Sequence, residues 1–209
     1  MRAGKLITLE GIEGVGKSTG MSFLSERLQT RGIDVLTTRE PGGTPLAETI
    51  RKLVVEPSEE AMPAICETLL MFAARSAHLA NRIRPALAAG RWVLCDRFTD
   101  ATYAYQGGGR GVPVEHIRSL HDWVHAGLEP DLTLLLDAPV EVGFARIRGR
   151  NAEGRDRFER ERRAFFERAR SAYLDIAKAE TARVIVIDAD RPLRDVHAAL
   201  GNAVDRLTD

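Results

Sequence analysis

A short apolar run, a glycine-rich loop and a helical pattern follow one another near the start of this chain, and they restrict its fold more than any other stretch. Gly11-Ile12-Glu13-Gly14-Val15-Gly16-Lys17-Ser18-Thr19 fits the G-x-x-x-x-G-K-[ST] spacing of a phosphate-binding loop. Glycines let such a loop curl so that successive N–H groups point inward at phosphate oxygens. Lys17 adds a positive charge for the β- and γ-phosphates, Ser18 offers a hard oxygen to Mg²⁺, and the helix that follows aims its positive end at the same anion. The flanks agree with this reading. Leu6-Ile7-Thr8-Leu9 reads as a buried strand, and Met21, Phe23, Leu24 and Leu28 repeat at helical spacing up to Gly32. The pattern predicts a nucleoside-triphosphate site.

The remainder alternates strand and helix patterns. Strands are expected over 33–38, 91–96, 131–137 and 184–188, each a run of Val, Ile, Leu or Thr ending near a polar residue. Thr44 is placed to cap a helix that has Pro45 in its first turn. A long helical region runs from about Ala61 to Ala89 and is expected to break near Pro85. Further helices are expected over 114–126, 140–148, 158–178 and 193–207. Five strands alternating with helices give an α/β fold, a doubly wound five-stranded parallel sheet with helices on both faces. A chain of 209 residues accommodates this as a single domain over 1–209, with a short arginine-rich lid over about 149–157.

Composition narrows the function. Lys and Arg balance Asp and Glu at 30 each, which argues against coating nucleic acid or a membrane surface. No spanning or signal-like run is evident, so a cytoplasmic location is expected. Cys66 and Cys95 stand alone in apolar surroundings and read as core thiols in a reducing compartment. The run Gln106-Gly107-Gly108-Gly109-Arg110-Gly111 reads as a mobile turn. His121-Asp122-Trp123-Val124-His125 resembles a zinc-binding helix, but no third ligand is evident and zinc is not expected.

Right-handed crossovers bring the C-terminal ends of the first three strands to one rim. The phosphate loop, Arg39-Glu40 and Asp96-Arg97 lie there. Asp96, at a strand end beside a phosphate loop, reads as a metal-organising carboxylate with Ser18, rather than only a helix cap. The rim is therefore expected to hold a triphosphate on the loop and an anionic acceptor on arginines. The residues by themselves specify an acceptor phosphate and a planar ring. They leave open other pyrimidine nucleotides, and a P-loop switch with no acceptor.

The ordered set Gly11 to Thr19, Arg39-Glu40-Pro41-Gly42-Gly43, Asp96-Arg97-Phe98, Ala104-Tyr105-Gln106-Gly107, Pro130-Asp131-Leu132-Thr133 and Asp156-Arg157-Phe158-Glu159 resembles the bacterial thymidylate kinases over nearly the whole chain. The resemblance implies transfer of the ATP γ-phosphoryl group to dTMP with Mg²⁺, by a homodimer built on the long central helices. It places Lys17 and Ser18 on ATP and its metal, and Glu13 near the acceptor sugar and the metal. Arg97 is to grip the dTMP phosphate, with Arg39, Glu40 and Arg51 lining the same pocket. Arg75 is to donate to the thymine edge, with Thr102, Tyr105 and Gln106 closing around sugar and base. Two positions depart from the family. Met71 stands where many relatives have a stacking Phe, so Phe72 is the expected ring, and Ala101 stands where relatives often have Ser. The loop positions Ile12, Glu13, Gly14 and Val15 offer no arginine, so the transition-state arginine is expected from the lid, with Arg150 ahead of Arg148 and Arg155.

Overall fold

Parallel strands buried on both faces need continuous apolar sequence, and the two strands beside the phosphate loop have it: Leu6–Glu10 (β1) and Leu132–Asp137 (β4) are buried almost throughout. The computed structural model describes residues 4–56, 59–148 and 157–207, and side chains other than those of 148 and 157–161. In chain order the remaining elements are α1 (Lys17–Thr30), β2 (Val35–Arg39), α2 (Pro45–Val55), α3 (Ala64–His78), α4 (Arg84–Ala88), β3 (Trp92–Asp96), α5 (Thr99–Thr102), α6 (Val114–His125), α7 (Val140–Arg148), α8 (Arg157–Ala179), β5 (Val184–Asp188) and α9 (Leu193–Asp205). π-helical segments follow α3 (Leu79–Ile83) and α5 (Tyr103–Gly109).

The five strands form one parallel sheet in the order β2-β3-β1-β4-β5. The edge strands β2 and β5 alternate buried and open positions, whereas the central ones do not. β1 lies between β3 and β4, with Leu9 beside Asp96 and Leu134. After β3 the chain crosses over β1 to reach β4, so the end of β1 is where the winding changes side. Open parallel sheets bind ligands at such a point. Alternation along β1 sends Ile7 and Leu9 to a core shared with Leu24, Leu28 and Leu200, and sends Leu6 to a second core with Leu79, Ile83 and Phe98.

Three sequence expectations need revision. The long helical region is not broken at Pro85, which sits in the first turn of α4 where its missing N–H is harmless. The register changes earlier instead, at the π-helical turn Leu79–Ile83. Secondly, Gly107 to Gly109 are not a mobile turn: they belong to the π-helical segment packed on α8. A Cβ on Gly108 would lie 2.7 Å from Ala172 Cβ, and one on Gly109 would lie 2.4 Å from the Phe165 ring. Glycine is required there by the close approach of α8. Thirdly, Cys66 is exposed and only Cys95 is in the core, because Cys66 lies on the side of α3 that turns outward. The apolar centre of α3 leaves one face uncovered within one chain. Phe72 and Ala74 are buried, while Ile65 and Leu69 are 60% and 51% exposed.

The expected cap is present, with Thr44 Oγ1 accepting from Ala47 N at 3.3 Å. The phosphate loop is fixed from outside by a backbone contact to α7. A Cβ on Gly14 would lie 2.1 Å from Gly143 O, and one on Gly143 would lie 2.5 Å from Glu13 O. Backbone cannot yield as a side chain tip does. Gly143→Ala is therefore expected to lower the free energy of unfolding by about 1–3 kcal/mol, the usual range for overpacking. Urea denaturation measures this, and an unchanged midpoint would show that α7 gives way without strain.

Candidate active site

Lys17 is the first residue of α1, and its ammonium turns back beneath the loop. Nζ donates to Gly11 O at 3.0 Å and to Ile12 O at 2.8 Å. Burial pushes its pKa down to about 7, the Arg97 charge adds to this, and Asp96, Glu10 and Glu13 oppose it. A buried ammonium held in that state favours a bound anion. The cavity over the loop has a volume of about 590 Å³ and is lined by the loop, Asp96, Arg97, Arg146, Arg191 and His197. A second cavity of about 710 Å³ runs along α1, the end of β2 and the start of α2, past Thr38, Arg39, Thr44 and Glu48. Ser18 and Asp96 line both cavities. Asp96 Oδ1 is buried with no hydrogen-bond partner among the described residues. A hydroxyl and an unpaired carboxylate oxygen at such a junction suit a hard cation.

Arginines approach the same rim from three elements. Arg97 follows β3 with φ 67°, in the left-handed region that side chains rarely adopt, and its guanidinium lies 4.6 Å from the centre of the Tyr105 ring. Arg39 Nη2 donates to both oxygens of Glu48, at 3.0 and 2.9 Å. Arg51 Nη1 donates to Pro41 O at 2.9 Å. Burial holds the Arg51 pKa below its usual range, with Arg39 and Arg97 pushing the same way against Glu48 and Asp96. Three guanidinium groups that feel one another form an anion site.

Deeper in, Arg75 is 1% exposed. Its Nε donates to Glu40 Oε2 at 2.7 Å, and its Nη2 donates to Phe98 O and Thr102 Oγ1 at 3.1 and 3.0 Å. Its guanidinium lies 4.9 Å from the Phe72 ring, which packs on Val112 and Ile117, while Met71 is half-buried. Nη1 is buried without a partner among the described residues, and so is Gln106 Oε1, whose amide nitrogen donates to Glu67 Oε1 at 2.8 Å. A donor nitrogen on Arg75 and an acceptor oxygen on Gln106 are thus each buried and unpaired among the described residues.

A phosphate loop, a cluster of arginines on the same rim and buried unpaired atoms on Arg75 and Gln106 coincide with the likeness to known proteins. The family model for thymidylate kinase matches residues 9–200. This chain belongs to the thymidylate kinase family. A thymidylate kinase of Pseudomonas savastanoi pv. phaseolicola is 57% identical over 99% of this chain and 97% of its own length. One from Chromohalobacter salexigens is 58% identical over 96% and 94%. The crystal structure of thymidylate kinase from Ehrlichia chaffeensis is 32% identical, covers 99% of each chain and superposes with a TM-score of 0.77.

Within this family member the expected site residues fall into distinct layers. Glu13 to Thr19 and Arg97 line the loop cavity, and Gly11 and Ile12 lie beneath it as carbonyl acceptors for Lys17. Arg39 lines the second cavity, and Arg51 feels the charges of Arg39 and Arg97. Glu40 lies a layer further back than the sequence suggests: its second oxygen meets His78 Nδ1 at 2.9 Å, so both oxygens serve to hold Arg75 and His78. Thr102, 0% exposed, likewise faces Arg75. Glu13 Oε2 accepts from Arg162 Nη2 at 3.3 Å. Arg150 and Arg155 lie outside the described residues, as does the side chain of Arg148. Sequence reasoning missed Glu10, Glu67, His78, Arg162 and Tyr173. Only Glu10 carried a usable signal, an acid closing an otherwise buried strand directly before the loop.

The histidine pair on α6 also needs revision. Glu129 does bring a third candidate ligand within 4.8 Å of His121 and His125. Every ring nitrogen is already engaged, however: His121 with Tyr103 and Glu129, His125 with Thr99 and Leu128 O. Burial, with Arg75 and His121, pushes the His125 pKa down to about 3. The cluster is a hydrogen-bonded chain of polar groups that ties α6 to α5.

The depressed Lys17 pKa makes the stability of the nucleotide-free protein depend on pH. Below about 7 the ammonium is charged in both folded and unfolded chains, and the full cost of burying it is felt. Between about 7 and the ordinary lysine value of 10.5 the unfolded chain binds more protons, so the cost is relieved as pH rises. The stability of the wild type relative to Lys17→Met is therefore expected to increase over that window. Chemical denaturation of both proteins at several pH values measures it, and a flat difference would show that Lys17 is not held in the depressed state.

Proposed function

We propose that the chain transfers the γ-phosphoryl group of ATP to dTMP, giving dTDP and ADP. The observation that supports the substrate assignment is that Arg75 Nη1 and Gln106 Oε1 are each buried without a partner among the described residues. A thymine edge presents O4 to the first and N3–H to the second. Adenine offers no such carbonyl, and cytosine reverses the donor–acceptor order at N3 and N4. Guanine carries the same pair at O6 and N1–H, so the choice of thymine over guanine rests on the likeness to thymidylate kinases.

In this reading the loop N–H groups and Lys17 hold the triphosphate, and its arrival supplies the anion that the buried ammonium lacks. Ser18 Oγ and Asp96 Oδ1 are oxygen donors suited to Mg²⁺, which when bound neutralises charge on the β- and γ-phosphates. Arg97, with Arg39 and Arg51, holds the acceptor phosphate between the loop and the base pocket. Tyr105 supports Arg97 from beneath, and Phe72 supports Arg75. Glu40 and Thr102 fix the fork of Arg75 so that Nη1 alone is free for the base. Glu13 projects from the loop toward the acceptor sugar and metal. The charge that builds on the γ-phosphoryl oxygens is met by an arginine of the 148–155 stretch, with Arg150 first in rank. Catalysis is then mostly positioning and charge stabilisation in one rigid domain, in the cytoplasm where both nucleotides and reduced thiols are found.

Turnover measured by ADP release is expected to be fastest with dTMP and slower with dUMP, which keeps the same imide edge but lacks the methyl group. Equal or faster turnover of CMP, GMP or AMP would exclude this substrate assignment.

The working unit is a homodimer through α3. Its outward face carries Ile65 and Leu69, and the neighbouring α2 adds Leu46 and Leu53 at 60% and 58% exposure. A second copy of the same face covers this surface by the self-complementary packing of a two-fold interface. Sedimentation at micromolar concentration is expected to show a dimer that Leu69→Glu converts to monomer. A monomeric wild type under those conditions would contradict it.

A further inference from the structure

The carboxyl group of Glu10 is the most deeply buried titratable group near the phosphate loop that the reading above does not use. It closes β1 directly before the loop and is 0% exposed. Its two oxygens have separate tasks. Phe98 N donates to Oε1 at 2.6 Å, and the Tyr173 hydroxyl donates to Oε2 at 2.7 Å. The neighbouring bond explains the first. Arg97 N still donates to Leu9 O at 3.0 Å, continuing the β1–β3 ladder. Arg97 then takes its left-handed conformation, so the next N–H, that of Phe98, leaves the ladder and turns to the Glu10 side chain. The carboxyl group thus ends the ladder and satisfies a buried donor that the turn at Arg97 would otherwise strand.

Tyr173 secures the other oxygen from α8. The same helix packs Phe165, Phe166 and Tyr173 edge-on around Tyr105, the ring on which Arg97 rests. Arg97 is accordingly held at its backbone by Glu10 and at its guanidinium by Tyr105, and both supports lean on α8. An acid in this place is unfavourable in itself. Burial pushes its pKa up to about 7, Asp100 adds to that, and Tyr173, Arg97 and Phe98 N oppose it. An apolar residue would fill the space at lower cost but would leave Phe98 N unpaired.

We propose that Glu10 is a positioning residue for Arg97: it locks the strained turn that aims the guanidinium at the acceptor phosphate, and Tyr173 holds its carboxyl group in place. This rests on the reading of Arg97 as the acceptor-phosphate clamp, and deepens it.

Steady-state kinetics of Glu10→Asp, Glu10→Gln and Tyr173→Phe, each alone and combined with Arg97→Ala, test it. Asp keeps the charge but withdraws the acceptor from Phe98 N, and KM for dTMP is expected to rise at least about tenfold, the scale of losing a hydrogen bond to a charged group. KM for ATP is expected to stay within about twofold, a split that general damage to the fold would not give. Gln offers Phe98 N an amide oxygen of the same reach and is expected to stay within about threefold of wild type, because the neutral isostere keeps the bond. Tyr173→Phe retains the core packing and is expected to raise KM for dTMP about two- to fivefold, the loss of one hydrogen bond. In the Arg97→Ala background none of the three is expected to add a further effect on dTMP. An Arg97→Ala protein with wild-type KM for dTMP would remove the phosphate-clamp reading itself. If Arg97→Ala is impaired, the proposal about Glu10 is overturned by an unchanged KM for dTMP in Tyr173→Phe, by a Gln variant as impaired as the Asp variant, or by effects that persist undiminished on Arg97→Ala. Tyr173→Phe keeps the test decisive even if Glu10→Asp does not fold.

Discussion

Positive charge that the protein leaves partly unneutralised at the end of β1 is the constraint on which the site depends. Lys17, Arg97, Arg51 and Arg39 converge there from α1, β3, α2 and β2. Each is kept from collapsing onto its neighbours by a separate support: backbone carbonyls for Lys17, a tyrosine ring for Arg97, Pro41 O for Arg51 and Glu48 for Arg39. Burial lowers the pKa values of Lys17 and Arg51, and the repulsion of neighbouring guanidinium groups adds to it. Anions cancel that repulsion. A pair of phosphate-bearing substrates therefore completes an electrostatic arrangement that the protein alone leaves unsatisfied.

Specificity is built differently, from neutralised charge and single unpaired atoms. Glu40 and His78 are 4% and 0% exposed and form one hydrogen-bonded unit with Arg75 and Thr38. This unit balances the charge of Arg75 and fixes its plane, so that Nη1 alone is left without a partner among the described residues. Glu67 does the same for Gln106 by occupying the amide nitrogen. Leaving a buried polar atom unpaired is expensive, and a ligand that lacks the matching group would leave it so. Discrimination of this kind follows from the cost of a missed hydrogen bond rather than from the strength of a made one.

α8 connects the two halves of this design. It packs against the π-helical segment Tyr103–Gly109 closely enough to require glycine at 108 and 109. It supplies Tyr173 to Glu10, an arginine to Glu13 and the rings around Tyr105. Through these contacts a single helix touches the phosphate loop, the acceptor arginine and the segment that bears Gln106. π-Helical segments follow both α3 and α5, and the second carries Tyr105 and Gln106, a kind of segment common at functional sites.

The sequence by itself determined the phosphate loop, the five strands, the positions of most helices, the Thr44 cap and the set of arginines on the rim. These are local matters: periodicity, glycine spacing and the chemistry of strand ends act over a few residues, and the ordered motifs were enough to show the family resemblance. What only the tertiary structure decided involves partners far apart in the chain. Glu10 meets Tyr173 across 163 positions, Gln106 meets Glu67 across 39, and Glu40 meets Arg75 across 35. No window of sequence carries those pairings, so Glu40 looked like a pocket residue and Glu10 like the end of a strand. The three glycines after Gln106 likewise read as a loop, because their freedom is visible in sequence while the helix pressing on them is not. The outward turn of Cys66 was hidden for the same reason: which side of an apolar helix stays open depends on what packs against it.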